Sequence, residues 1–294
     1  MPVRPRLSVL WRDRAGRFSA LKAATLLALT VPALALALRW SLVGLGARPL
    51  NAAIHDLGLW GLRLLLLSLA ISPARAVFGW ARGLMIRRMV GLAAASYLAA
   101  HFTLYALDQG FRPLHIGHEI VHRVYLAIGF TALVGLAALA ATSTNAMIRR
   151  LRRRWKQLHR LVYAVAALGL LHGLMQAKSD ITQPAILVGF FAWEMLFRAL
   201  PARRQSAPLV LFLLAFVAAA ATAGLEAGWY AAATNLPWRR VLDANLMPEL
   251  YGPRPSAWVG MVALAVAILA TARSVFNRRG RAGPSAPEPV PLRG

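Results

Sequence analysis

The chain has 294 residues, 59% of them hydrophobic, a formal net charge of +24 and no cysteine. Its mean hydropathy is positive, and the apolar residues come in blocks, which excludes an ordinary soluble domain and points to an all-α, polytopic transmembrane helix bundle. Without cysteine there are no disulfides, no thiolate iron–sulfur clusters, no covalently attached c-type haem and no catalytic thiol, so redox chemistry has to use non-covalent cofactors.

Eight apolar blocks read as membrane helices, at residues 23–38, 57–72, 89–107, 124–141, 158–175, 184–200, 209–227 and 257–272. A basic N-terminus, residues 1–22, precedes the first. Ala33-Leu34-Ala35 has the look of a signal-peptide cleavage site, but an uncleaved first helix is expected because further helices follow. The second block contains Arg63, which is expected to snorkel or to face the bundle. The third holds His101, and the fifth holds His159 and His172. The sixth carries Glu194 four residues before Arg198, the spacing of a helical ion pair. The chain then divides into the N-terminus, a six-helix core at 23–200, a two-helix extension with an outer loop at 201–273, and a tail at 274–294 that reads as disordered. No internal repeat stands out. There is no G-x-G-x-x-G and no P-loop, so a nicotinamide donor would act on another protein.

The positive charge is a topology signal. Alternate connecting segments hold 24 and 8 of the Lys and Arg residues, an asymmetry that puts both termini in the cytoplasm. Anionic lipid headgroups are the expected partner of this charge, and nucleic acid is not.

Ionisable groups at membrane depth are functional candidates. His101 and His172 lie on helices of the same direction, each about 20 Å above the inner end at 1.5 Å per residue. They therefore stand at matched depth and can face one another. His159 lies about 19.5 Å below His172 by the same rise. Two opposed imidazoles suit the axial positions of a haem iron, leave none for oxygen, and so favour electron transfer. Gly91, Gly169 and Gly173 leave room for a flat ring. The competing reading is hydrogen bonding between helices. Arg88 sits thirteen residues before His101, where a second inner histidine would be. It suits a haem propionate, a flavin phosphate or a lipid headgroup. In the outer loop, His115, His118 and His122 share one helical face with Glu119 nearby, as a docking face or a metal cluster.

Several stretches together resemble a known family. They are Leu69-Ala70-Ile71-Ser72-Pro73, Arg87-Arg88-Met89-Val90-Gly91-Leu92, His101 with Tyr105, Arg123-Val124-Tyr125-Leu126, Ala141-Thr142-Ser143-Thr144-Asn145-Ala146-Met147, and Arg154-Trp155-Lys156-Gln157-Leu158-His159-Arg160-Leu161-Val162-Tyr163 followed by His172. The sequence resembles the haem-binding membrane subunit of the periplasmic protein-methionine-sulfoxide reductase system, the MsrQ or YedZ type, in the ferric-reductase-like transmembrane group. The resemblance covers residues 40–200. It implies that His101, His159 and His172 are haem ligands and that FMN is also carried. The basic loop from Arg149 to Lys156, with Arg149 and Arg150 foremost, is the candidate for its phosphate. The chain departs from the family pattern at Val124, where proline is usual, at Arg152, where glycine is usual, and in everything beyond residue 200.

The resemblance implies an electron-transfer subunit in the bacterial inner membrane, not itself the catalytic subunit. Electrons would enter from the quinone pool or a cytoplasmic flavin reductase and pass through one or two b-type haems. They would leave to a periplasmic molybdopterin reductase that repairs methionine sulfoxide in proteins. The alternatives are a related haem-b ferric reductase, the membrane anchor of another molybdoenzyme, and, from a different class, a non-redox scaffold or transporter.

Overall fold

A computed structural model describes residues 11–12, 16–177, 180–234 and 236–281. The regular structure among them is helical: α1 (Ala20–Leu42), α2 (Pro49–Phe78), α3 (Leu84–Asp108), α4 (Pro113–His122), α5 (Val124–Ala141), α6 (Asn145–Leu151), α7 (Arg153–His159), α8 (Val162–Gln176), α9 (Thr182–Ala199), α10 (Pro208–Ala233), α11 (Trp238–Leu246), α12 (Pro248–Tyr251) and α13 (Pro255–Arg281). Proline opens α2, α4 and α10, a position where its missing N–H costs nothing and its fixed φ favours the helix. Val124 opens α5, a first helical position of the same kind.

Among the described residues, seven helices are long and apolar enough to cross a membrane. The hydropathy blocks predict eight. The sixth block does form a helix, α9, but Gln183, Glu194 and Arg198 dilute its apolar character. It packs against α2, α8, α10 and α13, so it is surrounded by protein, and its polar side chains find partners there. Glu194 and Arg198 form the expected pair at 3.4 Å. The fifth block crosses as one span, Arg153–Gln176, with a turn at Arg160 and Leu161 inside it, so His159 ends α7 while His172 lies in α8. The loop expected at the outer side is largely helical among the described residues, through the end of α10, α11 and α12. Helix α13 runs on to Arg281, into the segment expected to be a disordered tail. Residues 1–10 and 282–294, where the remaining basic N-terminus and tail fall, lie outside the described residues.

Helices α2 and α3 pack together, as do α5 with α8 and α10 with α13, while α9 touches both the earlier helices and the α10–α13 pair. The largest core draws Leu65 and Leu69 from α2, Val90, Ala94 and Tyr97 from α3, Leu136 from α5, and Val165, Ala166 and Leu170 from α8. Small residues allow this close approach. A Cβ on Gly61 would come within 2.5 Å of Leu98, and one on Gly135 within 2.7 Å of Val165. Helix α1 is held by a polar device: the Tyr97 hydroxyl donates to the Leu29 carbonyl at 2.8 Å and accepts from the Ala33 N–H at 3.0 Å. It thus inserts into the backbone ladder of α1 beside Pro32.

Candidate functional site

The end of the bundle where α2 begins and where α3 and α8 finish carries His101 and His172. Their ring centres are 6.3 Å apart and their planes meet at 81°. Nδ1 of His101 lies 2.7 Å from the Ile54 carbonyl, and Nδ1 of His172 lies 2.8 Å from the Tyr125 carbonyl. A carbonyl only accepts, so each Nδ1 carries the proton and each Nε2 keeps its lone pair for a metal. Metal–imidazole bonds of about 2 Å, with roughly 1.1 Å from each nitrogen to its ring centre, separate two axial imidazoles by about 6 Å. The 6.3 Å between the ring centres is of that size.

Both rings line a cavity of about 720 Å³. Its walls are apolar, with Leu62, Leu65, Leu98, Phe102, Leu133 and Leu136, and Gly169 and Gly173 line it beside Leu62. Its rim is polar, with Arg48, Asn51, His55, Asp108, Gln176 and Asp180. Arg48, Asn51 and His55 stand on one face of the start of α2, at positions i, i+3 and i+7. Hydrogen bonds from the Thr182 side chain and from its backbone N–H hold the Asp180 carboxyl below the usual carboxylate range. A haem needs two opposed ligands, apolar surfaces for a flat ring, and polar groups for two carboxylates at one edge. The residues of this cavity fit each requirement.

The structure brings together His101 and His172 and leaves the other candidates elsewhere. His159 stacks on Trp155 at 3.8 Å, with Nδ1 3.2 Å from the Trp155 carbonyl and Nε2 3.3 Å from the Ser143 hydroxyl. It does not line the cavity. Arg88 reaches the same loop, donating to Asn145 Oδ1 at 2.7 Å and to the Ser143 carbonyl at 3.4 Å. Arg149 and Arg150 are exposed in the last turn of α6, whose start is capped by the Thr144 hydroxyl. His115, His118 and His122 are exposed on α4. His118 and His122 stack at 3.9 Å, and no group of three metal-ligating side chains converges among the described residues. Gly91 does not line the cavity.

Sequence reading misses Gly58, Gly129, His55 and the two carbonyls of Ile54 and Tyr125. A signal for them is present: each carbonyl lies 47 residues before its histidine.

Comparisons with known proteins show the family. The family described as "Ferric reductase like transmembrane component" matches residues 57–170, which include His101 and His159 and end two residues short of His172. A protein of Rhodospirillum rubrum named "Protein-methionine-sulfoxide reductase heme-binding subunit MsrQ" is 43% identical over 196 residues, covering 66% of this chain and 92% of the relative. A protein of the same name from Xanthomonas campestris pv. campestris (strain 8004) is 45% identical over 169 residues, covering 55% and 77%. One from Xanthomonas axonopodis pv. citri is 42% identical over 173 residues, covering 56% and 79%. No solved structure matches.

Proposed function

This chain belongs to the MsrQ family of haem-binding subunits of protein-methionine-sulfoxide reductase, and on that premise we propose that it conducts electrons across the bacterial inner membrane through a b-type haem held between His101 and His172. The observation that carries this reading is the histidine pair itself, with ring centres 6.3 Å apart on one cavity and both Nδ1 atoms committed to backbone carbonyls. Haem bound there supplies reversible one-electron transfer. His101 and His172 would hold the iron through their Nε2 atoms, and two such ligands would leave no place on it for oxygen or other small ligands. The two carbonyls fix the imidazole tautomer and raise the basicity of the ligating nitrogen. The apolar walls keep water out, and Arg48 and Asn51 at the rim stand where propionates need donors.

At the opposite end of the bundle His159 is proposed as the ligand of an inner centre, with Arg88 beside it for an anionic group. Ligation by its Nε2 would require the Ser143 contact to open. Arg149 and Arg150 are proposed to hold the phosphate of FMN. Both termini are taken as cytoplasmic from the charge asymmetry. Residues 23–200 are then the haem-binding core, and α10 and α13 are an extension to it. Electrons from the quinone pool or a cytoplasmic flavin reductase would enter at the inner side. They would leave at the His101 end to a periplasmic molybdopterin-containing reductase that repairs methionine sulfoxide. The exposed histidine face of α4 is proposed as part of its docking surface.

The test is an absorption spectrum of the detergent-purified protein, oxidised and then dithionite-reduced, with a pyridine haemochrome assay. A low-spin b-type spectrum with one or two haems per chain is expected. Folded protein without haem, from cells supplied with haem, would sink the reading.

A further inference from the structure

We propose that Gly58 and Gly129 are positioning residues that set the orientation of the two haem ligands, each providing a slot into which one imidazole edge docks; this rests on the haem reading above. The two half-sites are copies of one unit. Ile54, Gly58 and His101 on α2 and α3 stand in the same register as Tyr125, Gly129 and His172 on α5 and α8, with 47 residues from carbonyl to histidine in both. In both, the glycine follows the carbonyl residue by four positions. That spacing has a physical cause. A helical Cα–Cβ bond leans toward the N-terminus, so the side chain at i+4 lies over the carbonyl of residue i. An imidazole from a neighbouring helix reaches that carbonyl only where the side chain at i+4 is missing.

The distances show how tight each slot is. A Cβ on Gly58 would lie 2.9 Å from Nδ1 of His101 and 3.2 Å from its Cε1. One on Gly129 would lie 2.6 Å from Nδ1 of His172 and 2.9 Å from its Cε1. At both glycines the three nearest atoms all belong to the ligand histidine. Gly61 and Gly135 lie on the same two helices and are as tightly packed, but against Leu98 and Val165. Packing alone would make all four glycines equivalent; the slot idea separates the first pair from the second. The slots lie on different helices and hold the two rings at 81°, a crossed arrangement that the iron of a bound haem would sense.

The experiment compares Gly58→Ala and Gly129→Ala with Gly61→Ala and Gly135→Ala in the purified full-length holoprotein. Haem content, spin state and carbon monoxide binding after reduction are read for each. Wild type and both control variants are expected to be low-spin and closed to carbon monoxide. Gly58→Ala and Gly129→Ala are expected to turn most of their retained haem high-spin and open it to carbon monoxide. Low-spin, closed haem in both slot variants would overturn the proposal, and so would equal effects at all four glycines. Electron paramagnetic resonance of the wild type decides the matter where a variant fails to fold. Crossed rings predict the strongly anisotropic low-spin signal, and the rhombic signal of near-parallel rings would refute the slots. The two readings fail differently: absence of haem from the wild type removes the haem assignment, whereas wild-type haem that ignores Gly58→Ala and Gly129→Ala removes only the slots.

Discussion

Arg198 donates from Nη2 to the Leu69 carbonyl at 2.6 Å, the acceptor that Pro73 leaves without its helical donor. Proline has no N–H, so α2 runs through Pro73 with one backbone acceptor free in an apolar setting. Arg198 arrives from α9 to satisfy it, and also pairs with the buried Glu194. Removing the guanidinium orphans the carbonyl and leaves a carboxylate alone. Arg198→Met should cost about 1–3 kcal/mol of stability. In a Pro73→Ala background the backbone N–H restored at that position takes over the Leu69 carbonyl, and the loss should shrink by about 1 kcal/mol. Thermal unfolding of the four proteins in detergent measures the coupling. Equal losses in both backgrounds would show that Arg198 acts only through Glu194.

The opposed histidines make a ranked prediction. His101→Ala and His172→Ala should each abolish the haem proposed between them, since each would remove one of the two residues that hold it. His159→Ala should leave that haem in place, because its ring lies on Trp155 outside the cavity. Haem per chain by pyridine haemochrome is the readout. Wild-type content in either His101→Ala or His172→Ala would show that another residue, such as His55 at the rim, holds the iron.

Much of this site is legible in the sequence, and the part that is not has a physical reason. Matched depth follows from counting 1.5 Å per residue along two helices of one direction, and His101 and His172 do meet. Depth says nothing of azimuth, so counting puts His159 about 19.5 Å below His172 without telling which way its ring points. The turn at Arg160 and Leu161 and the Trp155 ring leave no mark on an apolar run. Gly58 and Gly129 are hidden for another reason. Their role is to lack a side chain beneath a ring from a distant helix, and local periodicity carries no trace of that contact. Helix α9 is found by its apolar residues and its Glu194–Arg198 pair by spacing, yet the contacts of Gln183 with Arg63 and of Arg198 with the Leu69 carbonyl, both on α2, leave no local mark.

Arg152 offers a test of backbone strain. It joins α6 to α7 with φ +48° and ψ −116°, a conformation that glycine adopts freely and other residues avoid. A left-handed residue other than glycine costs about 1–2 kcal/mol, so Arg152→Gly should stabilise the protein by about 1 kcal/mol. Arg152→Ala should give no such gain, because its Cβ meets the same clash. Unfolding midpoints in detergent distinguish the two. Stabilisation by both would mean that charge repulsion in the basic loop, rather than backbone strain, was being relieved.

The extension is braced by a buried charge. Glu226 of α10 has no exposed surface. It pairs with Arg254 and accepts from the Asn245 amide at 2.9 Å, and Asn245 in turn accepts from the Ser256 hydroxyl at 2.7 Å. The chain of contacts ties α11 to α10 and to the start of α13. Breaking such a pair by removing one partner typically costs about 3–5 kcal/mol, while replacing both with apolar groups costs much less. Arg254→Met should therefore destabilise more than Glu226→Leu combined with Arg254→Met, a reversal of simple additivity. The effect should also reach the haem site. Val241 of α11 packs with Leu174, Ile181 and Ala185, which flank the segment carrying Gln176 and Asp180 of the cavity rim. Loosening α11 loosens that rim. Haem release on heating, followed by loss of the Soret band, should come at lower temperature in Arg254→Met than in the double variant. Identical release in both would mean that the extension stands apart from the haem site and braces only itself.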